Sequence, residues 1–522
     1  MDQELLKYCF GKGLLLDREV LNLFNEAEDI ESVKLIIERL GKSVQQKIIT
    51  KDFLSQNKES VVKVLSDLPF KTQKSLEKLK IKLGLSIEIS KEISKNENPT
   101  KNYFSLVNVL DSIPQKTEKL EVKNFVTHFR NRFLKMKEFL QNHPKLENVV
   151  SINKISGSRQ GVSVIGFVSD KRVTKNKNMI LELEDLTGRI RVLINKDKSE
   201  IYELAEDISL DSIIGIRGSG SREILFANQI AFPEARLFER KNSPYDENVL
   251  FTGDFHFGSK RFLEENFLKF VDYLNGKNYG DSEIEKIKYL YIVGDLVAGI
   301  GNYPNQERDL SILNLEEQFC RFAELLGRIR KDIKIIISPG NHDGVRLMEP
   351  QPVFDEKFAW ALHDMKNVVL TGNPYYTNIG AGKNFSGFDI LTYHGFSFFY
   401  YTDNIPSLIK NKAAHNPELV MKYILKNRHL APTHASTQYY PLEEDGLLIK
   451  KIPDIFVTGH MHKSAVSYYN NILLVSVSTW ETLTDYMEKV GSKPDFCKVP
   501  MFNLKTRAVK ILDFEGEENQ SN

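Results

Sequence analysis

Five short stretches of this chain contain aspartate, asparagine and histidine, residue types that together can bind divalent metal ions. In chain order they are Asp254-Phe255-His256, Gly294-Asp295, Gly340-Asn341-His342-Asp343, His394-Gly395 and Gly459-His460-Met461-His462. All except the Gly340 stretch directly follow a run of apolar residues that is typical of a buried strand. Metal ligands in open α/β sheets commonly lie just past the carboxyl end of a strand, so the pattern predicts one site assembled from several strands.

The spacing within these stretches predicts how the ligands are shared. Alternate side chains of an extended segment point the same way, so Asp254 and His256 can converge on one ion. His460 and His462 can serve two ions, and the carboxylate of Asp295 can bridge them. Imidazole, carboxylate and amide ligands suit Mn, Fe or Zn better than Ca or Mg, and we expect two divalent ions, with Mn first.

Such a pair of ions predicts phosphoryl displacement. Ions about 3.5–4 Å apart clamp the attacking and leaving oxygens and lower the pKa of water, so no separate base is required. His342 is then the natural acid for the leaving oxygen, and Asp343 is expected to orient its ring.

Each stretch also has an ordinary structural interpretation when it is taken alone. Gly-Asn-His-Asp can be a turn with a helix cap, and Gly-His-x-His can be a loop. Only their combination, in one domain and at strand ends, predicts a metal site. The remaining histidines lack such a context; we expect surface or packing roles for His128, His143, His363 and His415, whereas His429 and His434 could line the cleft.

Composition limits the class of protein. The chain has 522 residues, which is too long for one core, and its 71 basic and 70 acidic residues give a net charge of +1. A protein that wraps nucleic acid with its whole surface is therefore excluded, although a local basic patch is not. The three cysteines are far apart and predict neither disulfides nor a thiolate zinc site. No signal peptide or membrane-spanning run is apparent, so we expect a soluble cytoplasmic protein with no membrane contact.

Changes in periodicity along the chain predict several domains. Helical spacing of Leu14–Phe24 and Val33–Leu40 indicates a helical N-terminal unit, and the Lys- and Ser-rich segment after it indicates a linker. The predicted parts are a helical N-terminal domain at 1–70, a flexible linker at 71–118, a connecting helix at 119–148, an OB-fold at 149–240 and a phosphoesterase domain at 247–515.

The connecting helix and the OB-fold are predicted from two different patterns. Val122 to Leu140 has an apolar face of helical period, and its basic residues, including Arg130 and Arg132, are expected on a solvated face. Residues 162–230 contain three strands, a short helix and two more strands, which is the order of an OB-fold barrel. Its strands carry few aromatic residues for stacking bases, which favours protein docking or weak guidance of DNA over a dedicated DNA platform.

From Glu247 onward, apolar strands alternate with amphipathic helices such as Glu264–Leu274 and Glu316–Ile329. This pattern predicts a layered α/β domain with a sheet core flanked by helices.

At the five stretches the chain resembles the calcineurin-like metallophosphoesterase superfamily. Carried over from that resemblance, one metal would be bound by Asp254, His256, Asp295 and His462. The other would be bound by Asp295, Asn341, His394 and His460. His342 matches the catalytic histidine of the superfamily.

A narrower resemblance is to the small subunit of the archaeal family D DNA polymerases. It rests on the domain order and on four strings, Gly294–Val297, Gly301–Glu307, His429–Pro432 and Ile452–Phe456. Two departures, Ala298 where the family usually has Asp and Glu481 where it has Gln, fall outside the ligand set.

This resemblance implies a proofreading 3′→5′ exonuclease subunit that docks the large catalytic subunit of a two-subunit polymerase and acts on single-stranded or mismatched 3′ ends. Two alternatives stay open: a DNA repair nuclease or nucleotide phosphodiesterase, and a non-enzymatic scaffold. Repair nucleases and nucleotide phosphodiesterases usually carry the phosphoesterase near the N-terminus. A non-enzymatic scaffold would not need all seven ligands.

Overall fold

The structure, a computed structural model, describes residues 119–277, 282–489, 491 and 493–516, together with shorter stretches at 2–12, 15–17, 20, 33–34, 37, 48–49 and 107–110. The chain divides into two compact units, 1–102 and 103–522. In the first unit, α1 spans Asp2–Gly11, and the short strands β1 (Leu15–Leu16) and β2 (Ile48–Ile49) pair in parallel.

The N-terminus is therefore helical as predicted, but Leu15 and Leu16 lie in a strand rather than in the predicted helix. Most residues of that prediction, and of the predicted linker at 71–118, lie outside the described residues. Within the linker range, β3 (Asn108–Val109) is described as a strand of the second unit.

The second unit begins with a long helix and a closed barrel. The helix α2 spans Val122–Leu140. The barrel contains β4 (Gln160–Val173), β5 (Met179–Asp185), β6 (Gly188–Ile194), the helix α3 (Ser199–Glu206), β7 (Ile213–Ser221) and β8 (Ile224–Ala231). The strands close in the order β4-β5-β6-β8-β7, which confirms the predicted OB-fold. Between β5 and β6, the Asp185 carboxylate accepts hydrogen bonds from the backbone N–H groups of Thr187 and Gly188, at 2.7 and 3.0 Å, and so fixes the predicted turn.

Two six-stranded sheets form the rest of the unit. The strands of the first are β9 (Asn248–Thr252), β10 (Ile287–Val293), β11 (Lys334–Ser338), β12 (Val368–Leu370), β18 (Lys498–Asn503) and β19 (Val509–Asp513). They follow the order β12-β11-β10-β9-β18-β19, in which the first four strands are parallel. The second sheet contains β3 and the strands β13 (Tyr375–Ile379), β14 (Phe388–Tyr393), β15 (Ile455–Thr458), β16 (Ala465–Tyr469) and β17 (Ile472–Ser476). Their order is β16-β17-β15-β14-β13-β3, with β14, β15 and β17 parallel.

The two sheets pack against each other, and helices cover their outer faces. Residues of both sheets share one buried core, which includes Phe251, Tyr291, Ile390 and Val457. The first sheet is covered by α4 (Glu264–Leu274), α5 (Leu315–Leu326) and α6 (Glu356–His363), and the second by α7 (Phe398–Asn404), α8 (Pro406–Lys410) and α9 (Pro417–Asn427). A short helix, α10 (Asp485–Lys489), follows β17. This is the predicted layered α/β domain, and it explains why strands buried on both faces read as continuous apolar runs.

The predicted faces of α2 are partly wrong. Val122 and Val126, assigned to the apolar face, are 80% and 60% exposed, whereas Arg132, assigned to the solvated face, is 1% exposed. The N-terminal half of α2 contacts the phosphoesterase layers through Phe125 and Phe129, and Val122 and Val126 lie outside these contacts. The helix packs between the barrel and those layers through its C-terminal half. There, Phe133, Met136 and Leu140 share a core with barrel residues and with Leu448.

Candidate metal centre

The predicted site residues follow the carboxyl ends of neighbouring parallel strands in both sheets. Asp254 follows β9, Asp295 follows β10 and Asn341 follows β11; in the second sheet His394 follows β14 and His460 follows β15. Because the sheets lie face to face, their carboxyl ends bring the two sets of loops together. All seven predicted ligands and His342 lie in this one place.

Hydrogen bonds between the loops fix their mutual position. The backbone N–H of His460 donates to the Asp254 carboxylate at 3.0 Å, which ties the second sheet to the first. The backbone N–H of His342 donates to Asp295 Oδ1 at 2.8 Å. A third bond runs from the backbone N–H of His394 to the Asn373 side-chain oxygen at 2.8 Å. The candidate ligands are thus held by backbone contacts as well as by their own rotamers.

Most of these residues have a backbone conformation that favours glycine. Positive φ angles between 47° and 69° occur at Asp254, His256, Asp295, His460 and His462. A left-handed conformation costs a non-glycine residue about 1–2 kcal/mol. Such strain persists where the surrounding structure imposes it, and it is concentrated at functional sites. Here it turns successive side chains into the space between the sheets.

Two glycines leave the room that close approach of the ligands requires. A Cβ at Gly294, where φ is +76°, would collide with the His394 ring, and a Cβ at Gly340 would collide with the Asp295 carboxylate. Both glycines belong to the predicted motifs. Both positions therefore require glycine because a larger side chain would collide with a candidate ligand, in addition to any conformational requirement of the turns.

The ligating atoms form two groups that share Asp295. In the first group, His256 Nε2 lies 3.2 Å from His462 Nε2 and 3.8 Å from Asp295 Oδ2. His462 Nε2 lies 3.8 Å from Asp254 Oδ1. Three atoms, one each from Asp254, His256 and His462, lie within 4.8 Å of one another and could hold an ion.

The second group lies on the other side of Asp295. His394 Nε2 is 3.2 Å from Asp295 Oδ2, 3.2 Å from His460 Nδ1 and 3.0 Å from Asn341 Oδ1. Asp295, His394 and His460 could again hold one ion. Asp295 Oδ2 therefore lies near both groups, and each candidate ion would have imidazole and carboxylate oxygen donors. The bridging role of Asp295 stays a prediction.

Burial sets the protonation of these groups. It lowers the pKa of His256 to about 3 and that of His460 and His462 well below the usual value, so their ring nitrogens are neutral near pH 7. Burial opposes protonation of His394 too, but the charge of Asp295 and a hydrogen bond to it prevail and raise the His394 pKa to about 10. Burial acts against the charged form of Asp295, but the neighbouring His394 holds its pKa well below the ordinary value.

The donor set fits a pair of divalent ions. His394 Nδ1–H lies 3.3 Å from the Val293 carbonyl, to which it donates, so a metal that displaces the proton from Nε2 would find that nitrogen facing the site. Among the described residues, His462 Nδ1 is a buried ring nitrogen without a hydrogen-bond partner. Neutral imidazoles whose lone pairs converge on a carboxylate are the ligands that Mn, Fe and Zn accept.

His342 lies at the edge of the first group. Its ring centroid is 4.7 Å from that of His256, and its Nδ1 lies 3.0 Å from the Ala298 carbonyl and 3.1 Å from Asn302 Nδ2. With Nδ1–H donating to Ala298, Nε2 is the nitrogen that can exchange a proton. His342 also lies close enough to His256 and Asp295 to be a ligand itself, so its role as an acid stays a prediction.

Asp343 has a different contact from the predicted one. Its carboxylate accepts hydrogen bonds from the backbone N–H groups of Val297 at 3.0 Å and Gly340 at 2.8 Å, and not from the His342 ring. Burial, with the charge of Asp295 second, raises its pKa to about 7. Asp343 therefore joins the loops that follow β10 and β11. The Ala298 carbonyl, which also accepts a hydrogen bond from Asn302 Nδ2 at 2.9 Å, orients the His342 ring instead.

Sequence reasoning missed several supporting residues. Asn373, which fixes His394, is itself held by Gln351 Oε1 at 2.6 Å and lies 3.4 Å from Glu349 Oε1. Thr479 donates to the Asp254 carbonyl at 2.8 Å. Only Asn302 lay in a string that the sequence had singled out. The contacts of the others join positions far apart in the chain, so no local pattern could have indicated them.

Neither His429 nor His434 takes part in the site. His429 Nε2 lies 2.9 Å from Asp445, and the ring of His434 packs edge-on against Tyr439. The interpretation that they could line the cleft is therefore wrong in the case of His429, which is buried in a separate ionic cluster. Glu481, one of the two departures, accepts a hydrogen bond from the Ser259 hydroxyl at 2.5 Å, and burial raises its pKa to about 7.

Comparison with known proteins agrees with this geometry. Residues 247–464 match the calcineurin-like phosphoesterase family, and residues 162–223 match the OB-fold nucleic acid binding domain. The chain is 33% identical over 421 residues to the DNA polymerase II small subunit of Methanothermobacter thermautotrophicus, and the match covers 80% of this chain and 84% of that protein. The chain belongs to the family of archaeal DNA polymerase II small subunits.

Other members of the family show how its length varies. The small subunit of Archaeoglobus fulgidus is 36% identical over 400 residues, 76% of this chain and 78% of that protein. The small subunit of Pyrococcus furiosus is 36% identical over 411 residues, but these are only 65% of its length. Among the described residues, no helix has the length and apolar character needed to cross a membrane.

Proposed function

We propose that this polymerase small subunit is a two-metal 3′→5′ exonuclease that proofreads for a large polymerase subunit to which it docks. The observation that carries the proposal is the position of Asp295 Oδ2, which lies 3.8 Å from His256 Nε2 in one ligand group and 3.2 Å from His394 Nε2 in the other. A dinuclear site of this kind serves in-line attack on a phosphodiester. The names of the relatives, each a small subunit of a DNA polymerase, indicate DNA as the substrate and a large subunit as the partner.

The ligand roles are proposed as follows. One ion would be held by Asp254, His256, Asp295 and His462, and the other by Asp295, Asn341, His394 and His460. When bound, such a pair supplies an activated water and neutralises charge on the phosphoryl oxygens. Mn is the proposed metal, with Fe and Zn as the chemically acceptable alternatives.

The contribution of the chain is positioning and proton transfer. The Ala298 carbonyl accepts a hydrogen bond from His342 Nδ1–H, so the doubly protonated ring can give its Nε2 proton to the oxygen that leaves and remain as the neutral imidazole. In 3′→5′ removal, that oxygen is the 3′-oxygen of the shortened strand. The terminal nucleotide keeps the phosphate and is released as a 5′-monophosphate.

The OB-fold barrel is proposed to dock the partner or guide a single strand. Its strand β8 presents Phe226, which is 42% exposed, and the guanidinium of Arg159 lies 5.8 Å from that ring. A stacking surface this small suits guidance better than tight binding. A scaffold without activity would not require the complete ligand set or its strained backbone.

The test is Asp295→Ala in the complex with the large subunit encoded in the same genome. Removal of single-stranded and mismatched 3′ ends in Mn should be abolished, bound metal should fall, and assembly should persist. The matched control is Asp332→Ala, because Asp332 is 53% exposed and takes no part in the site. An Asp295→Ala complex that digests DNA at the wild-type rate would overturn the two-metal proposal. Wild-type cleavage of cyclic nucleotides or aryl esters alone would favour a nucleotide phosphodiesterase.

A further inference from the structure

Two exposed phenylalanines lie against a candidate ligand of the second ion. The ring centroids of Phe396 and Phe399 lie 5.6 and 5.1 Å from that of His460. Their side chains are 37% and 47% exposed, although both belong to a well-packed segment. Large aromatic rings left open beside a catalytic cleft are candidates for binding an apolar, planar group.

The segment that carries these rings is fixed by two other aromatic residues, whose side chains are buried. Phe398 and Tyr401 are fully buried in the core under the second sheet. Ser397 donates to the Leu430 carbonyl at 2.8 Å, and the Tyr401 hydroxyl donates to the same oxygen at 3.1 Å. The core therefore fixes α7 without using Phe396 or Phe399, whose rings remain on the open side.

The position of the pair relative to His342 indicates which part of a substrate it faces. His342 lies beside His256 in the first ligand group, whereas both phenylalanines lie beside His460 in the second. A phosphodiester bound between the groups has two ester arms. The arm that leaves lies on the His342 side, so the arm that keeps the phosphate extends toward the phenylalanines.

We propose that Phe396 and Phe399 form a stacking platform for the base of the terminal nucleotide, the one released as a 5′-monophosphate. This inference rests on the proposed function of the same site. Stacking on an aromatic ring accepts every base, because every base has a π-face. A proofreading site needs that tolerance, since any of the four nucleotides can be misinserted.

The experiment uses two small phosphodiesters with the same leaving group. Thymidine 5′-(4-nitrophenyl phosphate) has a base on the arm that keeps the phosphate, and methyl 4-nitrophenyl phosphate has none. The protein with Phe396→Leu and Phe399→Leu keeps apolar side chains but loses both rings. Its kcat/KM for the thymidine ester should fall roughly 5- to 150-fold, the range expected for one lost base–aromatic stack, while that for the methyl ester stays at the wild-type value.

Two matched variants control for indirect effects. Phe399→Tyr keeps a ring and should keep the preference for the thymidine ester. Phe238→Ala removes a phenylalanine that is 100% exposed outside the site and should change neither rate. Bound metal is measured in every protein, and the single Phe399→Leu variant serves if the double variant does not fold.

The outcomes separate this inference from the proposed function. Equal losses on both esters, or loss of an ion from the leucine variants, would show that the rings only support His460 and would overturn the platform. So would a wild-type protein with no preference for the thymidine ester. If the wild-type protein prefers the thymidine ester and the leucine variants lose that preference, but the wild-type complex fails to shorten DNA, the exonuclease proposal fails and the platform stands.

Discussion

Two buried clusters of histidine and carboxylate side chains in this molecule differ in what compensates their buried negative charge. The first is the candidate metal centre. The second, here called the arginine cluster, consists of Arg132, Asp445, His128 and His429, all at most 3% exposed. Both are rich in the residue types that bind metals, and both lie between layers of the second unit.

The arginine cluster contains its own cation. Arg132 Nε donates to Asp445 Oδ2 at 2.5 Å, and Arg132 Nη1 donates to the Pro432 carbonyl at 2.7 Å. Burial would raise the pKa of Asp445, but the arginine beside it holds that pKa well below the ordinary value. The carboxylate is therefore charged and paired without any external ion.

The metal centre lacks such a partner. Within the described part of the chain, neither Asp254 nor Asp295 has a lysine or arginine in ion-pair contact, and the positive charge nearest to them is a proton on His394. Burying two carboxylates in this way is costly unless cations come from solution. The comparison teaches that the number of histidines and aspartates does not by itself identify a metal site, because the same residue types in the arginine cluster are paired with a cation of the chain itself.

The largest expected effect concerns the proposed proton donor beside the candidate metal centre, a role that no residue of the arginine cluster is proposed to have. A general acid helps most when the leaving oxygen is a poor leaving group, as the 3′-oxygen of DNA is, whereas 4-nitrophenolate departs unaided. His342→Ala should therefore slow DNA hydrolysis by about 10²- to 10⁴-fold and aryl ester hydrolysis far less. The measurement is the ratio of wild-type to variant rates on the two substrates, with bound metal quantified.

His363→Ala is the matched control, because His363 is exposed and contacts the Phe354 carbonyl outside the site. Equal losses on both substrates, or a missing ion, would make His342 a ligand or a substrate-positioning group.

The next effect concerns the stability of the arginine cluster. Arg132→Met leaves the Asp445 carboxylate buried without its cation, which should lower the free energy of unfolding by about 3–5 kcal/mol. Arg130→Met, on the exposed side of the same helix, should change it by about 0.5 kcal/mol or less. Denaturant unfolding followed by circular dichroism gives both values. If Arg132→Met lowers the free energy of unfolding no more than Arg130→Met does, the ion pair with Asp445 is not the reason why Arg132 is buried.

This contrast also shows what the sequence can predict. The motifs of the candidate metal centre are local, since each combines a strand with the loop after it, so the pattern could indicate the strands that the structure places around the seven proposed ligands. Arg132 and Asp445 are 313 residues apart, and nothing in the helical period of α2 indicates which layer it contacts. The sequence also missed β18, where Pro500 argues against a central strand. The structure tolerates it because β18 pairs with β9 only from Met501 to Asn503.

A smaller effect should appear in the pH dependence of stability. Burial lowers the pKa of His429 to about 4, with the charge of Asp445 opposing it, whereas an unfolded histidine titrates near 6.5. As pH falls from about 6.5 to 4, the unfolded state therefore takes up a proton that the folded state does not, and stability is lost by up to about 1.4 kcal/mol per pH unit. Above this window the histidine is neutral in both states and contributes no slope.

His429→Gln removes this proton and should flatten the curve between pH 4 and 6.5, relative to wild type. The other buried histidines, including His128, titrate in both proteins and cancel in the difference. Parallel curves for the two proteins would show that His429 is charged in the folded cluster after all.

The smallest effect is expected from deleting residues 1–70, the predicted N-terminal domain. Both clusters lie in the unit formed by residues 103–522, which has its own cores. The truncated protein should hydrolyse the methyl nitrophenyl ester at the wild-type rate, bind the same amount of metal and show the same His429-dependent pH slope. Removal of the barrel is the contrasting deletion, because the Tyr423 hydroxyl donates to the Asp207 carbonyl at 2.7 Å and Leu448 shares a core with α2 and the barrel. That deletion should destabilise the arginine cluster more than it changes metal binding at the candidate metal centre. If instead the 1–70 deletion abolishes hydrolysis in a protein that still folds, the N-terminal unit belongs to the catalytic core and the predicted boundary is wrong.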